Sequence, residues 1–208
     1  MTPSLEDFLK PTALLAVLLN PFLMSIYLLD MIESLDPATF GRTVARGSLI
    51  ASIAFALFAL GGDAIFSDVL QVRFASFLIF GGILFLLIGL RLAQSGPRAL
   101  GELRGPPEHL AGSVAMPFMI GPGTVSASVL IGARLPPLWA LLSIACAMIA
   151  TLLGLVVVKA VHSRVRDRQA HLVERYVDIV ARASALLVGT IAVDMVLSGL
   201  SRVWRQLG

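Results

Sequence analysis

The chain has 208 residues, 57% of them apolar and only 14% charged, with a mean hydropathy of +0.90. An ordinary soluble domain carries about 25% charged residues, and its surface helices are apolar on one face only. A net charge of +3 and a pI near 9.6 do not point to nucleic acid, because the basic residues sit between long uncharged runs, the pattern that sets membrane topology.

Six such runs follow one another, and a span needs about 20 mainly apolar residues. The first covers residues 11–29. Glu6 and Asp7 precede it and no small-residue cleavage site follows, so it reads as a retained helix and not a signal peptide. The second, 47–62, is short and is expected to borrow residues 40–44, with Arg42 and Arg46 snorkelling to the interface. The third is 74–90, the fourth 110–133, the fifth 135–158 and the sixth 183–201. The sixth carries the one acid well inside a span, Asp194. Between the fifth and sixth, residues 161–180 place Val161, Val165, Leu172, Tyr176 and Val180 near helical spacing among arginines. That pattern fits an amphipathic segment on an anionic leaflet or a solvated connector. The histidines, His109, His162 and His171, lie in the loops, and the single cysteine, Cys146, lies inside an apolar run. Neither set suggests a metal site.

Lysine and arginine orient the spans. Eleven of the sixteen fall after the first, third and fifth runs, and the other five are Lys10, Arg73, Arg134, Arg202 and Arg205. The positive-inside rule then puts both termini outside, which in a bacterial inner membrane is the periplasm.

The two halves resemble each other. Asn20-Pro21-Phe22-Leu23-Met24-Ser25 in the first run parallels Met116-Pro117-Phe118-Met119-Ile120-Gly121 in the fourth. Ala75-Ser76 precedes Gly81 as Ala183-Ser184 precedes Gly189. Repeats three spans apart must enter the membrane from opposite sides, as in many transporters. The expected architecture is therefore all-α: one transmembrane domain over 1–208, built of inverted three-helix repeats at about 8–95 and 108–204, with inner-face connectors at about 96–109 and 160–181.

Proline inside a helix removes a hydrogen bond, and in lipid the freed carbonyls must find partners or line a cavity. Asn20-Pro21 predicts a break or strong kink in the first span; Pro117, Gly121, Pro122 and Gly123 predict an unwound stretch in the fourth. A half-helix beginning near Thr124 would present its positive end to a carboxylate, and freed carbonyls would accept from an ammonium group. Ser126, Ser128, Asn20 and Ser25 add polar groups, so the expected ligand is a small zwitterion. A purely structural kink is the alternative. Asp194 is expected to be buried, with its pKa raised, carrying a coupling proton or meeting the substrate's ammonium group; a protonated acid bonded to a neighbouring helix is the alternative.

These residues make the chain similar to the MarC family of six-helix membrane proteins. Ala115-Met116-Pro117-Phe118-Met119-Ile120-Gly121-Pro122-Gly123-Thr124 resembles the family's A-M-P-x-x-x-G-P-G-T signature. Asn20-Pro21, Gly81-Gly82 and Ile88-Gly89-Leu90-Arg91 match its further patterns. The resemblance implies an inner-membrane protein, and some members transport small neutral amino acids such as glycine and alanine. Two departures stand out. Ile26 occupies a position where many members have a second proline, and Asp194 stands where they often have an uncharged amide.

A secondary transporter is thus the expected function, with no cofactor. No phosphate-binding G-x-x-x-x-G-K-[ST] loop occurs, so a proton or sodium gradient, or the substrate's own, would supply the energy. Neither G-x-S-x-G nor H-E-x-x-H occurs, and Asp194 has no second acid at depth, which argues against a membrane enzyme. A non-transporting assembly or sensor protein is the second reading. The sequence leaves oligomerisation open.

Overall fold

The computed structural model describes residues 3–96, 119–166 and 170–207. Within them the chain is helical: α1 Leu5–Leu19, α2 Pro21–Tyr27, α3 Leu29–Ser34, α4 Pro37–Gly61, a π-turn Ile65–Val69, α5 Phe74–Ser95, α6 Pro122–Arg134, α7 Pro137–Arg166 and α8 Ala170–Leu207. Five segments are long and apolar enough to cross a bilayer: Leu5–Tyr27, Pro37–Gly61, Phe74–Ser95, Pro137–Arg164 and Asp178–Arg205. Within the most apolar 18-residue stretch of each, no more than 39% is buried in the bundle. Leucines such as Leu57, Leu87, Leu153 and Leu186 face outward at 54–74% exposure. Outward leucines on all sides fit a hydrocarbon solvent.

The predicted fourth span is described only over its second half, α6. At 13 residues it is about 20 Å long, short of the roughly 30 Å of a hydrocarbon core. Its residues 110–118, with Pro117, lie outside the described residues, as does His109 in the loop before it.

Helix ends follow local chemistry. Ser4 caps α1 by accepting from the Asp7 amide. Asp36 caps α4, accepting from the amides of Ala38 and Thr39, with Pro37 at the first helical position, where a missing N–H costs nothing. Hydrogen bonds from Thr39 hold the Asp36 carboxyl below the usual carboxylate range. The second span accordingly begins at Pro37 and takes in Arg42 and Arg46, as its shortness suggested.

Two stretches go beyond the sequence reading. Within 161–180, α7 runs on to Arg166 and α8 starts at Ala170, so both helices project beyond their apolar runs, while residues 167–169 lie outside the described residues. The segment after the first span contains α3, and Lys159, expected in a loop, is 6% exposed beneath it. Its ammonium group donates to the carbonyls of Ile32 and Leu35, the latter at 2.6 Å, and lies 5.7 Å from the Phe40 ring centre. A cation at a helix C-terminus suits both the unpaired carbonyls and the dipole.

Helix pairing uses small residues, because lipid offers no hydrophobic drive for helices to associate. A Cβ added at Gly82 would meet the Ala192 carbonyl oxygen at 2.8 Å, one at Gly89 the Gly189 nitrogen at 3.2 Å, and one at Gly199 the Ala75 carbonyl oxygen at 2.9 Å. Rising numbers on α5 meet falling numbers on α8, so the two run antiparallel. In contrast, Phe8 meets Trp139 edge-on, Thr12 bonds to Ser143 at 2.7 Å, and Pro21 touches Gly154; α1 and α7 run parallel. The last turns of α4 and α6 meet where Gly132 abuts the Ala59 carbonyl.

Candidate functional site

The first span breaks at Asn20. This residue adopts φ 40°, ψ 80°, a left-handed conformation that asparagine tolerates better than most residues. Its side-chain oxygen caps α2 by accepting from the Leu23 amide at 3.1 Å, and Pro21 fills the first helical position. One residue thus ends α1 and starts α2. The Asn20 amide nitrogen also donates to Ser184 Oγ of α8 at 3.4 Å, tying the break to a second helix.

The fourth segment breaks at Ile120 and Gly121, and Gly121 caps α6. The new helix starts at Pro122, two residues before the expected Thr124. Thr124 is 1% exposed, and its hydroxyl serves the break itself: it accepts from the Gly121 amide at 3.0 Å and donates to the Met119 carbonyl at 2.6 Å. The Gly121 carbonyl accepts from the Val125 amide. The Met119 and Gly121 carbonyls, two of the acceptors expected to await a cation, are therefore bonded within the chain, and those before Pro117 lie outside the described residues.

The serines are also turned to their own helices. Ser25 donates to Phe22, Ser126 to Pro122 and Ser128 to Val125, at 2.6–2.7 Å. Each hydroxyl keeps acceptor capacity, but Ser25 at 4% and Ser128 at 0% exposure are sealed in packing. Ser126 lines open space.

That space is a groove of about 590 Å³ bounded by α1, α5, α6 and α8. Gly123 and Ser126 of α6 form one wall and Asp194 of α8 another. Gly123 keeps the walls close: a Cβ there would stand 3.1 Å from the Phe85 ring, 3.6 Å from Leu18 and 3.8 Å from Met195 Sδ. Pro122 packs onto Gly81, where an added Cβ would overlap it at 2.1 Å. The α6 break is thereby held against α5 and α8. Asp194 was expected to be buried. It is instead exposed to the groove, because the helices part on that side.

Asp194 does not stand alone. Thr190, Asp194, Ser198, Ser201 and Arg205 all line the groove, at intervals of three or four residues, which put them on one face of α8. The same spacing is readable in the sequence as a period of polar residues on either side of the acid. Asn20, Pro21 and Ser25 do not line this groove: Asn20 meets Ser184, ten residues and about 15 Å along α8 from Asp194. The predicted site thus divides into a groove at the second break and a tether at the first.

A chain helical throughout its described spans, with lipid-facing surfaces, a first span interrupted at Asn20 and a polar stripe facing a groove, is a multi-pass integral membrane protein. The MarC family integral membrane protein profile matches residues 5–204, nearly the whole chain, and the chain belongs to that family. No curated protein and no solved structure matches it.

Proposed function

We propose that this chain is a secondary transporter of small neutral amino acids such as glycine or alanine, in which substrate passes along the groove between the α6 break and α8. The observation that carries the reading is the stripe of Thr190, Asp194, Ser198 and Ser201 facing Gly123 and Ser126. Polar side chains at membrane depth normally face a cavity or each other, and a row of them facing open space marks a wet path. An acid for the ammonium group and the start of α6 for the carboxylate suit a zwitterion.

Alternating access by two inverted three-helix units is supported by the pattern of helix contacts. Exchanging the first span with the fourth, the second with the fifth and the third with the sixth turns the parallel α1–α7 pair into the α6–α4 pair, while α5–α8 maps onto itself. The contacts of α2 with α8 and of α6 with α5 exchange likewise. A sixth span, completed by residues before Met119, and a bacterial inner-membrane location with both termini periplasmic belong to the same proposal. So does coupling to a proton or sodium gradient.

The test is uptake of radiolabelled glycine and alanine into proteoliposomes, with and without an imposed proton gradient. Native protein should show saturable flux, and Gly123→Leu, whose side chain would fill the gap between Phe85, Leu18 and Met195, should reduce it to the background of empty vesicles. Absence of flux in native protein under every gradient would favour the assembly or sensor reading.

A further inference from the structure

Three of the five basic residues that the topology places on the outer side come together in space. Arg73, at the start of α5, and Arg202 and Arg205, in the last turns of α8, line one cavity of about 670 Å³ with Asp63, Ser67 and Gln71. The wall carries three guanidinium groups against a single carboxylate. Among the described residues no ion pair engages any of the three arginines. Arg202 lies 5.2 Å from the Phe74 ring centre, and Arg205 makes only a long bond, 3.4 Å, to the Ser201 carbonyl. Gln71 holds a positive φ of 53°, an unfavourable conformation for a side chain of its kind, at the turn that presents this wall. Unpaired guanidinium groups converging on one space recognise oxyanions, since each offers a planar fork of donors.

The cavity is continuous with the groove described above: Phe74, Arg202 and Arg205 line both. Arg202 follows Asp194 by eight residues, about 12 Å along α8. Cations therefore stand at the mouth and the acid lies deeper.

We infer that Arg73, Arg202 and Arg205 form an oxyanion-binding vestibule at the mouth of the groove, taking a carboxylate or phosphate group. Its service as the entry point for substrate rests on the transport reading; the binding itself does not. The ligand group has two sources, a soluble carboxylate or the phosphate of a lipid headgroup.

Thermal unfolding of the purified full chain in a non-ionic detergent separates them. Acetate and glycerol 1-phosphate would be titrated separately, with chloride holding ionic strength constant. Native protein should show a saturable rise in Tm of roughly 3 °C at ten times Kd. Arg73→Gln combined with Arg202→Gln should lose it. Arg205→Gln alone, which removes one long backbone contact and leaves the fold intact, should weaken the affinity at least about threefold by loss of one charge-assisted bond. A response to acetate identifies a carboxylate site; a response to glycerol 1-phosphate alone identifies a site for a phosphate ester of the headgroup kind; either supports the vestibule. No anion response beyond chloride in native protein, or unchanged affinity in Arg205→Gln, would overturn it. Binding that persists in a protein with no flux would count against the transport reading alone.

Discussion

Asp194→Asn should lower the maximal rate of glycine or alanine uptake at least tenfold, a barrier increase of about 1.4 kcal/mol, and should remove any acceleration by an inward proton gradient. Placing an acid at mid-span costs about 2.5–3.5 kcal/mol on insertion scales. That cost is offset only where water, a partner or a ligand meets the carboxyl. Asp194 faces the groove on a stripe with Thr190 and Ser198, and Gly123 of α6 lines the same groove. Asparagine keeps the shape and the hydrogen-bonding capacity but cannot carry the negative charge. A structural hydrogen bond would survive the change, with uptake and its pH dependence intact. Uptake measured at several external pH values, alongside a check that the variant elutes as the native protein does, decides between the two.

The largest effect on stability should come from a single methyl group at Gly132. A Cβ there would stand 1.8 Å from the Ala59 carbonyl oxygen, a backbone atom that no side-chain rotation can clear. Helices α4 and α6 would have to separate, and α6 is the helix whose first turn forms the groove wall. Overpacking a well-packed interface costs typically about 1–3 kcal/mol and occasionally more, so Gly132→Ala should lower Tm by about 5 °C or prevent recovery of folded protein. Gly41→Ala on α4 is the control, because nothing lies within 4 Å of its added Cβ. It should leave Tm unchanged or raise it slightly, since alanine favours the helix over glycine by up to about 1 kcal/mol. Equal losses in both variants would mean that general helix effects, and not the α4–α6 contact, govern stability.

The parts of the fold that sequence makes legible are those set by local chemistry. Long uncharged runs mark spans because no soluble core could absorb them. Asn20-Pro21 marks a break because proline lacks a donor and asparagine tolerates the left-handed turn. Gly121-Pro122 marks another because proline lacks a donor, although only geometry shows that Thr124 occupies the Met119 carbonyl beside the break. The stripe from Thr190 to Arg205 was present as a helical period, but serine and threonine are common enough in membrane helices that their alignment acquires meaning only once a groove faces them. The arginine cluster was hidden differently. Counted as topology markers, Arg73 and Arg202 lie 129 residues apart, and only the antiparallel packing of α5 on α8 brings them together. Lys159 was legible as a charge but not as the clamp on α3, because its acceptors are carbonyls on a short helix that no pattern announces.

Transport along the groove requires a wet path that substrate can occupy. Its most direct test is Ser198→Cys in a Cys146→Ser background, which removes the chain's one native thiol. Labelling with a membrane-impermeant maleimide should proceed in proteoliposomes and slow at least about threefold under saturating glycine or alanine, since an occupied groove excludes the reagent. A thiol at this position that never reacts, or one whose labelling rate ignores both amino acids, would contradict it.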